Sequence, residues 1–139
     1  MVSVAPQCLS LTHTIQSLAP ATEFVRRGAQ EAGFSVNRLA EVELVLEELF
    51  MNVARHAYLD GLPGLVEITW SVPQPGLLCV DIADRGIAFN PLTRAEPDLN
   101  ASLNERPVGG LGIFLIRRLT QSLEYRRDGN WNRVHFEMF

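Results

Sequence analysis

The sequence predicts an α+β fold, a two-layer sandwich in which helices cover one face of a mostly antiparallel mixed sheet. Three observations lead to this prediction. The length of 139 residues suits one domain, so residues 1–139 are expected to form a single unit. The composition, 47% hydrophobic and 20% charged, is ordinary for a globular protein. The predicted elements follow the order β-α-α-β-β-α-β-β, which is typical of α+β proteins.

Proline, glycine and serine set the predicted element boundaries. Pro20 is expected to open the first helix and Gly33 to end it. Ser35 is a plausible N-cap for a second, longer helix. Segments with alternating or continuous apolar residues between turn signals indicate strands. The predicted elements are a strand at 8–13, helices at 20–32 and 36–58, strands at 65–72 and 77–83, a helix at 111–119, and strands at 123–127 and 133–138.

Turn signals and one long loop separate these elements. The segments DGLPG at 60–64, PQPG at 73–76 and DGN at 128–130 have the chemistry of turns. Residues 92–108 are polar, contain Pro97 and Pro107, and show no clear period. A loop of this length in a small domain usually has a functional role, so we expect one here.

Charge and composition exclude several classes of function. The net charge is −4 and the pI is near 5.3, so direct binding to nucleic acid is not expected. The sequence shows neither a secretory signal nor a long apolar span, which predicts a soluble cytoplasmic protein without a membrane segment. Cys8 and Cys79 have no paired metal-ligand spacing, and Cys79 lies in an apolar run that predicts a buried free thiol.

The long predicted helix carries a polar pair beside its apolar face. Glu48 and Asn52 are four residues apart and share a face, whereas Glu47 points about 140° away from Asn52. A carboxylate beside a carboxamide suits a site for Mg²⁺ and a nucleotide. Taken alone, such a pair more often means a solvated glutamate and an asparagine inside a helix. His56 is expected to be a hydrogen-bonded structural histidine. The apolar stripe is Leu39, Val42, Val45, Leu46, Leu49, Phe50 and Val53.

A second polar signal follows the strand at 77–83. Asp84 and Gly86 form an Asp-x-Gly turn within DIADRGIAFNP. Glycine lets a ligand approach the backbone closely, and a carboxylate at a strand end can accept a hydrogen bond from an exocyclic amine such as that of adenine. A simple Asx turn between two elements explains the same residues equally well.

The third signal is a glycine-rich helix start, VGGLGIFLI at 108–116. Free N–H groups at such a start form an anion site together with the helix dipole. It is neither a Walker P-loop, because no GK[ST] follows, nor a Rossmann fingerprint. The glycines Gly109, Gly110 and Gly112 could instead permit tight helix packing. Arg106 just before the turn could reach a phosphate, although loop arginines are usually only solvated.

In this order and spacing the three segments resemble the GHKL, or Bergerat-fold, ATPases. EELFMN looks like the N box of that superfamily, DRGIAF like its first glycine box and GGLGIFLI like its second. The continuation ARHAY and the pattern DRGIAFNP are most similar to the anti-sigma-factor serine kinases of the RsbW type. The resemblance extends over residues 5–139.

The resemblance implies ATP and Mg²⁺ as cofactors and assigns a role to each motif residue. Asn52 would bind Mg²⁺, and Glu48 would be the general base for a protein hydroxyl. Asp84 would recognise adenine with Gly86 beneath the ring, and residues 92–108 would form the ATP lid. The implied nucleotide-binding residues are Asn52, Asp84, Gly86, Ala88, Arg106, Gly110, Leu111 and Gly112.

Two positions depart from the family pattern, and both bear on ATP affinity. Ala88 stands where many members have the second glycine of D-x-G-x-G. The late strand usually offers a threonine near adenine, and here WNRVHF offers Asn132 and Arg133.

Three functions compete on these grounds. The first is a protein serine/threonine kinase that phosphorylates an anti-anti-sigma protein of the STAS type and sequesters a sigma factor. The second is an ATP-binding regulatory module without kinase activity. The third is a histidine-kinase catalytic domain, which is disfavoured because no paired helices with a phosphoacceptor histidine precede the N box. The resemblance also implies a possible homodimer.

Overall fold

A computed structural model describes residues 3–56, 64–93 and 110–139 of the chain. The predicted order of helices and strands is confirmed within these ranges. Short 3₁₀ turns at Ile15–Ser17 and Pro91–Thr93 are added to it. The elements are β1 (Val4–Thr12), α1 (Leu18–Glu31), α2 (Val36–His56), β2 (Leu65–Gln74), β3 (Leu77–Asp84), α3 (Gly110–Leu119), β4 (Ser122–Asp128) and β5 (Trp131–Met138).

The five strands form one sheet in the order β1-β2-β3-β5-β4. Each of the four neighbouring pairs is antiparallel. The α+β fold class predicted from the sequence is therefore confirmed. Because β5 lies between β3 and β4, the end of β3 and the start of β5 are adjacent, with Asp84 opposite Asn132.

The helices cover one face of this sheet. Alternate residues of the central strands are buried towards α1 and α2, while their neighbours on the opposite face stay partly exposed. Helix α1 approaches the sheet closely at Gly28, where a Cβ atom would lie 2.6 Å from Trp70 Cδ2. The buried sheet residues include Val66, Ile68, Trp70, Val72, Leu78, Val80, Ile82, Val134 and Phe136.

Three helix boundaries test the sequence rules. Helix α1 begins at Leu18, so the prediction that Pro20 opens it was wrong by two residues. Proline is tolerated at the third helical position because the first four N–H groups of a helix have no partner within the helix. Gly33 ends α1 with a φ of 87°, as predicted. Ser35 caps α2, since its Oγ accepts a hydrogen bond of 3.2 Å from Arg38 N–H.

The first strand also differs from its prediction. It begins at Val4 and ends at Thr12, so His13 is not part of it. The register with β2 shifts between Val4 and Gln7, and this irregularity contains Pro6. Proline is compatible with a strand at a sheet edge or at a bulge, and β1 provides both.

Some predicted features lie outside the described residues. These are residues 94–108 of the predicted lid, the end of the second helix beyond His56, and residues 60–63 of the first turn. None of the helices in the described ranges is both long enough and apolar enough to cross a membrane.

Candidate functional site

A cavity lies between α2, the end of β3 and the start of β5. Its volume is about 20 Å³, enough for a water molecule. Helix α2 contributes an apolar wall and one amide, and the two strands contribute a carboxylate and a second amide. The lining residues are Leu49, Asn52, Val53, Ile82, Asp84, Phe89, Pro91, Asn132 and Val134.

Asp84 is buried at the end of β3, with 4% of its surface exposed. Its Oδ1 accepts hydrogen bonds from Gly86 N at 2.8 Å and from Asn132 Nδ2 at 2.9 Å. The bond to Gly86 is an Asx turn, so Asp84 both forms the predicted turn and faces the cavity. None of the described residues donates a hydrogen bond to Oδ2, which leaves this oxygen for a ligand.

Burial makes the ionised form of Asp84 less favourable than it is in water. Burial raises the pKa of Asp84 above its ordinary value, and this effect exceeds the lowering by hydrogen bonds from Asn132 and Gly86 and by the charge of Arg127. Arg127 also donates a hydrogen bond of 2.9 Å to the carbonyl oxygen of Gly86, which fixes the turn from the other side.

Asn132 organises this end of the sheet. Its Nδ2 donates to Asp84 Oδ1 and, at 2.8 Å, to Ile87 O. Its Oδ1 accepts hydrogen bonds from Tyr125 Oη at 2.6 Å, from Arg127 at 3.2 Å and from Phe89 N at 3.3 Å. One side chain therefore ties β3, β4 and the segment after Gly86 together.

In the sequence, Asn132 stands out only as a departure from the family threonine. A signal for a larger role was nevertheless present in the pattern of β5. Positions 132, 134, 136 and 138 all point into the core, and three of them are apolar. A lone amide in such a series is expected to serve buried polar partners.

Asn52 lies across the cavity on α2 and is 6% exposed. Its amide makes no hydrogen bond to any part of the chain that the structure describes. An amide that lines a cavity and has no partner among the described residues is available to bind a ligand there. One turn earlier Glu48 is partly buried, whereas Glu47 is exposed, as helical geometry predicts.

The first turn of α3 lies against Glu48. A Cβ atom at Gly112 would lie 2.6 Å from Glu48 Cδ, so the carboxylate end of Glu48 packs directly against the backbone of this turn. The N–H groups of a first helical turn have no partners within the helix, and the dipole adds positive potential there. The carboxylate of Glu48 therefore sits beside a natural anion site.

The remaining predicted positions lie at the start of α3, after β3 or outside the described residues. Gly110 begins α3, and Leu111 follows it. Ala88 is exposed, and neither Ala88 nor Gly86 lines the cavity. Arg106 and Gly109 lie outside the described residues.

His56 stacks on Phe89, with the ring centroids 4.5 Å apart.

Comparison with known proteins places this arrangement in context. The family model described as histidine kinase-like ATPase domain matches residues 11–138. The serine/threonine-protein kinase BtrW of Bordetella bronchiseptica is 27% identical over 126 residues, which cover 91% of this chain and 88% of BtrW. The serine-protein kinase RsbW of Bacillus mycoides is 27% identical over 104 residues, which cover 72% of this chain and 64% of RsbW. The alignment thus spans slightly less than two thirds of that RsbW.

Two solved structures share the fold. One is the crystal structure of the RsbU and RsbW domains of Rv1364c from Mycobacterium tuberculosis, with a TM-score of 0.67 and 14% identity. It matches 96% of this chain and 32% of that chain. The other is the histidine kinase domain of a blue-light activated histidine kinase from Erythrobacter litoralis. Its TM-score is 0.53 at 21% identity, and the match covers 87% of this chain and 59% of that chain.

Proposed function

Since this chain belongs to the histidine kinase-like ATPase family, we propose that it binds ATP with Mg²⁺ and acts as a protein serine/threonine kinase. Its substrate is a serine or threonine of an anti-anti-sigma protein of the STAS type, and it sequesters a sigma factor in the cytoplasm. The kinase names of BtrW and RsbW support the activity. The resemblance of the motifs to anti-sigma kinases supports the partners and a homodimer.

The single observation that carries the proposal is the position of the Asn52 amide, which lines the cavity and has no partner among the described residues. It lines the same cavity as Asp84, in a chain of the histidine kinase-like ATPase family. Its oxygen is a hard ligand of the kind that Mg²⁺ prefers, so the residue fits the metal that the family implies. When bound, Mg²⁺ neutralises charge on the phosphate oxygens.

At the other end of the cavity Asp84 provides the acceptor for the adenine amine. Oδ1 is engaged by Gly86 and Asn132, which fixes the carboxylate while Oδ2 stays available. Because the cavity holds only about a water molecule, a nucleobase must displace the wall formed by Phe89 and Pro91. Gly86 and Ala88 precede this wall in the chain, and we expect them to contact the base once the wall has been displaced.

The phosphates are held at the start of α3 and by the lid. N–H groups of Gly110, Leu111 and Gly112 donate to phosphate oxygens, and residues 92–108 with Arg106 close over them. Glu48 then accepts the proton of the attacking hydroxyl. The hydroxyl oxygen bonds to the γ-phosphorus as the bond from that phosphorus to the bridging oxygen of ADP breaks.

The experiment that tests this function uses the purified chain, Mg²⁺, γ-labelled ATP and a cognate STAS-type protein. We expect label on a serine or threonine of that protein. We expect Glu48→Gln to lose the label and Glu47→Gln, the matched control on the exposed face, to keep it. A stable ATP-dependent complex without label would instead identify an ATP-binding regulatory module.

A further inference from the structure

The face of the sheet that is turned away from the helices carries a cluster of ligand-type side chains. Cys79 on β3 lies directly opposite Glu137 on β5, and Asp81 lies directly opposite His135. Cys79 is a free thiol, as predicted, but it is only partly buried because its strand position faces away from the core. The ligand atoms of Cys79, His135 and Glu137 all lie within 4.8 Å of one another.

His135 is held between two carboxylates. Its Nδ1 lies 3.0 Å from Asp81 Oδ1, and its Nε2 lies 2.9 Å from Glu137 Oε2. The contact with Asp81 fixes the ring so that Nε2 points towards Glu137. A histidine that ligates a metal usually donates its other ring N–H to a carboxylate in this way, which orients the ring.

We propose that Cys79, His135 Nε2 and Glu137 form a binding site for Zn²⁺, with Asp81 positioning His135 from Nδ1. A sulfur, a nitrogen and a carboxylate oxygen are the three ligand types that zinc accepts, and water supplies the fourth position. Tetrahedral zinc ligands lie about 3.3–3.7 Å apart, as bond lengths of about 2.0–2.3 Å dictate. The observed separations, at most 4.8 Å, exceed this spacing by about 1 Å.

This site differs in chemistry and in place from the Mg²⁺ position at Asn52. A thiolate with an imidazole selects zinc over magnesium, whereas an amide oxygen favours the hard ion. Asn52 lies on α2 on the covered side of the sheet, and the cluster lies on the open side. Zinc binding at the cluster therefore does not depend on the proposed kinase function.

Without metal the same contacts form an ion triad. The hydrogen bond to Asp81, followed by that to Glu137, raises the pKa of His135 to about 9 against the opposing effect of burial. Zinc must replace the proton on Nε2 and the proton of the Cys79 thiol. The alternative to the proposal is thus a purely structural triad, and the experiment separates the two.

The test is a titration of the chelator-treated, reduced chain with Co²⁺ and Zn²⁺ in the absence of nucleotide. Co²⁺ reports a thiolate ligand through a sulfur-to-metal charge-transfer band, which Zn²⁺ then abolishes by displacement. We expect one metal per chain. Cys79→Ser removes the band, while Cys8→Ser, the matched control at the other cysteine, leaves it unchanged.

Substitutions at Glu137 and Asp81 test the other contacts of the site through the affinity for Zn²⁺. Glu137→Gln lowers the affinity for Zn²⁺ at least tenfold, and Asp81→Asn lowers it by about 10- to 100-fold because the ring loses its orienting partner. Circular dichroism of each variant checks that the fold is retained. Absence of the band in the parent chain, or its loss in Cys8→Ser and not in Cys79→Ser, overturns the proposal.

Discussion

Two buried asparagines on opposite sides of the cavity differ in their hydrogen bonding. Asn132 is 4% exposed and makes five hydrogen bonds to residues of β3, β4 and the segment after Gly86. Asn52 is 6% exposed, and its amide makes none with the described residues. Burial of an amide is costly unless it is paired. Asn132 is therefore a structural part of the site, whereas in the proposed function the amide of Asn52 binds the ligand.

The same contrast extends to the regions around them. The β3–β5 region is organised in advance, because Asp84 is fixed by Asn132 and by Gly86. The α2–α3 region places Glu48 against Gly112, and the amide of Asn52 has no hydrogen-bond partner within the described ranges. In the proposed function, the first region recognises the base and the second performs the phosphate chemistry.

The largest expected effect is at Glu48 in the α2–α3 region. Glu48→Gln keeps ATP binding but lowers phosphoryl transfer by about 10²- to 10⁴-fold, the usual contribution of a general base. Transfer is measured as the initial rate of labelling of the STAS-type partner. Glu47→Gln, one residue away on the exposed face, should retain the parental rate within a factor of two. Parental transfer by Glu48→Gln would remove Glu48 from the mechanism.

The next largest effect is the loss of ATP binding in Asn52→Ala, which distinguishes the role of Asn52 from that of Asn132. Asn52→Ala should abolish Mg²⁺-dependent ATP binding, a loss on the order of 100-fold or more for a ligand to a charged group. Its free energy of unfolding should stay equal to that of the parent or rise by up to about 0.7 kcal/mol, since alanine is the better helix former. Calorimetry measures the binding, and urea denaturation measures the stability.

Asn132→Ala should show the opposite pattern. It removes the hydrogen bonds of Asn132 with Asp84, Ile87 O and Tyr125, so we expect the free energy of unfolding to fall by about 1–3 kcal/mol. ATP affinity should fall less than in Asn52→Ala, because no contact between Asn132 and the nucleotide is required. Equal stability losses in the two variants would mean that the contrast between the asparagines is wrong.

The smallest effect concerns pH and Asp84. Because burial raises its pKa, the ionised carboxylate is penalised in the folded chain. Its contribution to stability is therefore more favourable below the ordinary aspartate pKa and is lost as pH rises through the raised value. ATP binding has the opposite sign, since the amine of adenine needs the ionised acceptor. Asp84→Asn should weaken ATP binding at neutral pH, should not lower stability, and should flatten both pH profiles above the ordinary aspartate range.

Local rules explain what could be predicted from the sequence. The rotation of 100° per residue distinguished Glu48 from Glu47, and the turn residue Gly33 and the cap Ser35 were placed correctly. These features depend on residues within a few positions of one another. Pro20 was misplaced because a proline is acceptable anywhere in the first turn of a helix.

Contacts between distant strands could not be predicted in this way. The bond from Asn132 to Asp84 joins residues 48 positions apart, and it depends on β5 pairing with β3 in one register. The grouping of Cys79 with His135 and Glu137 depends on the same register, so it cannot be predicted from the spacing of these residues along the chain. The roles of Arg106 and of the lid at 92–108 stay predictions.

The most direct test of the central claim is calorimetric titration of the parent chain with ATP, with and without Mg²⁺, and with GTP. The proposed site predicts saturable binding of one ATP per chain that requires Mg²⁺. It also predicts discrimination against GTP, which offers a carbonyl oxygen and not an amine to Asp84. No heat of binding from a chain that is folded by circular dichroism would contradict the account, as would equal affinity for ATP and GTP.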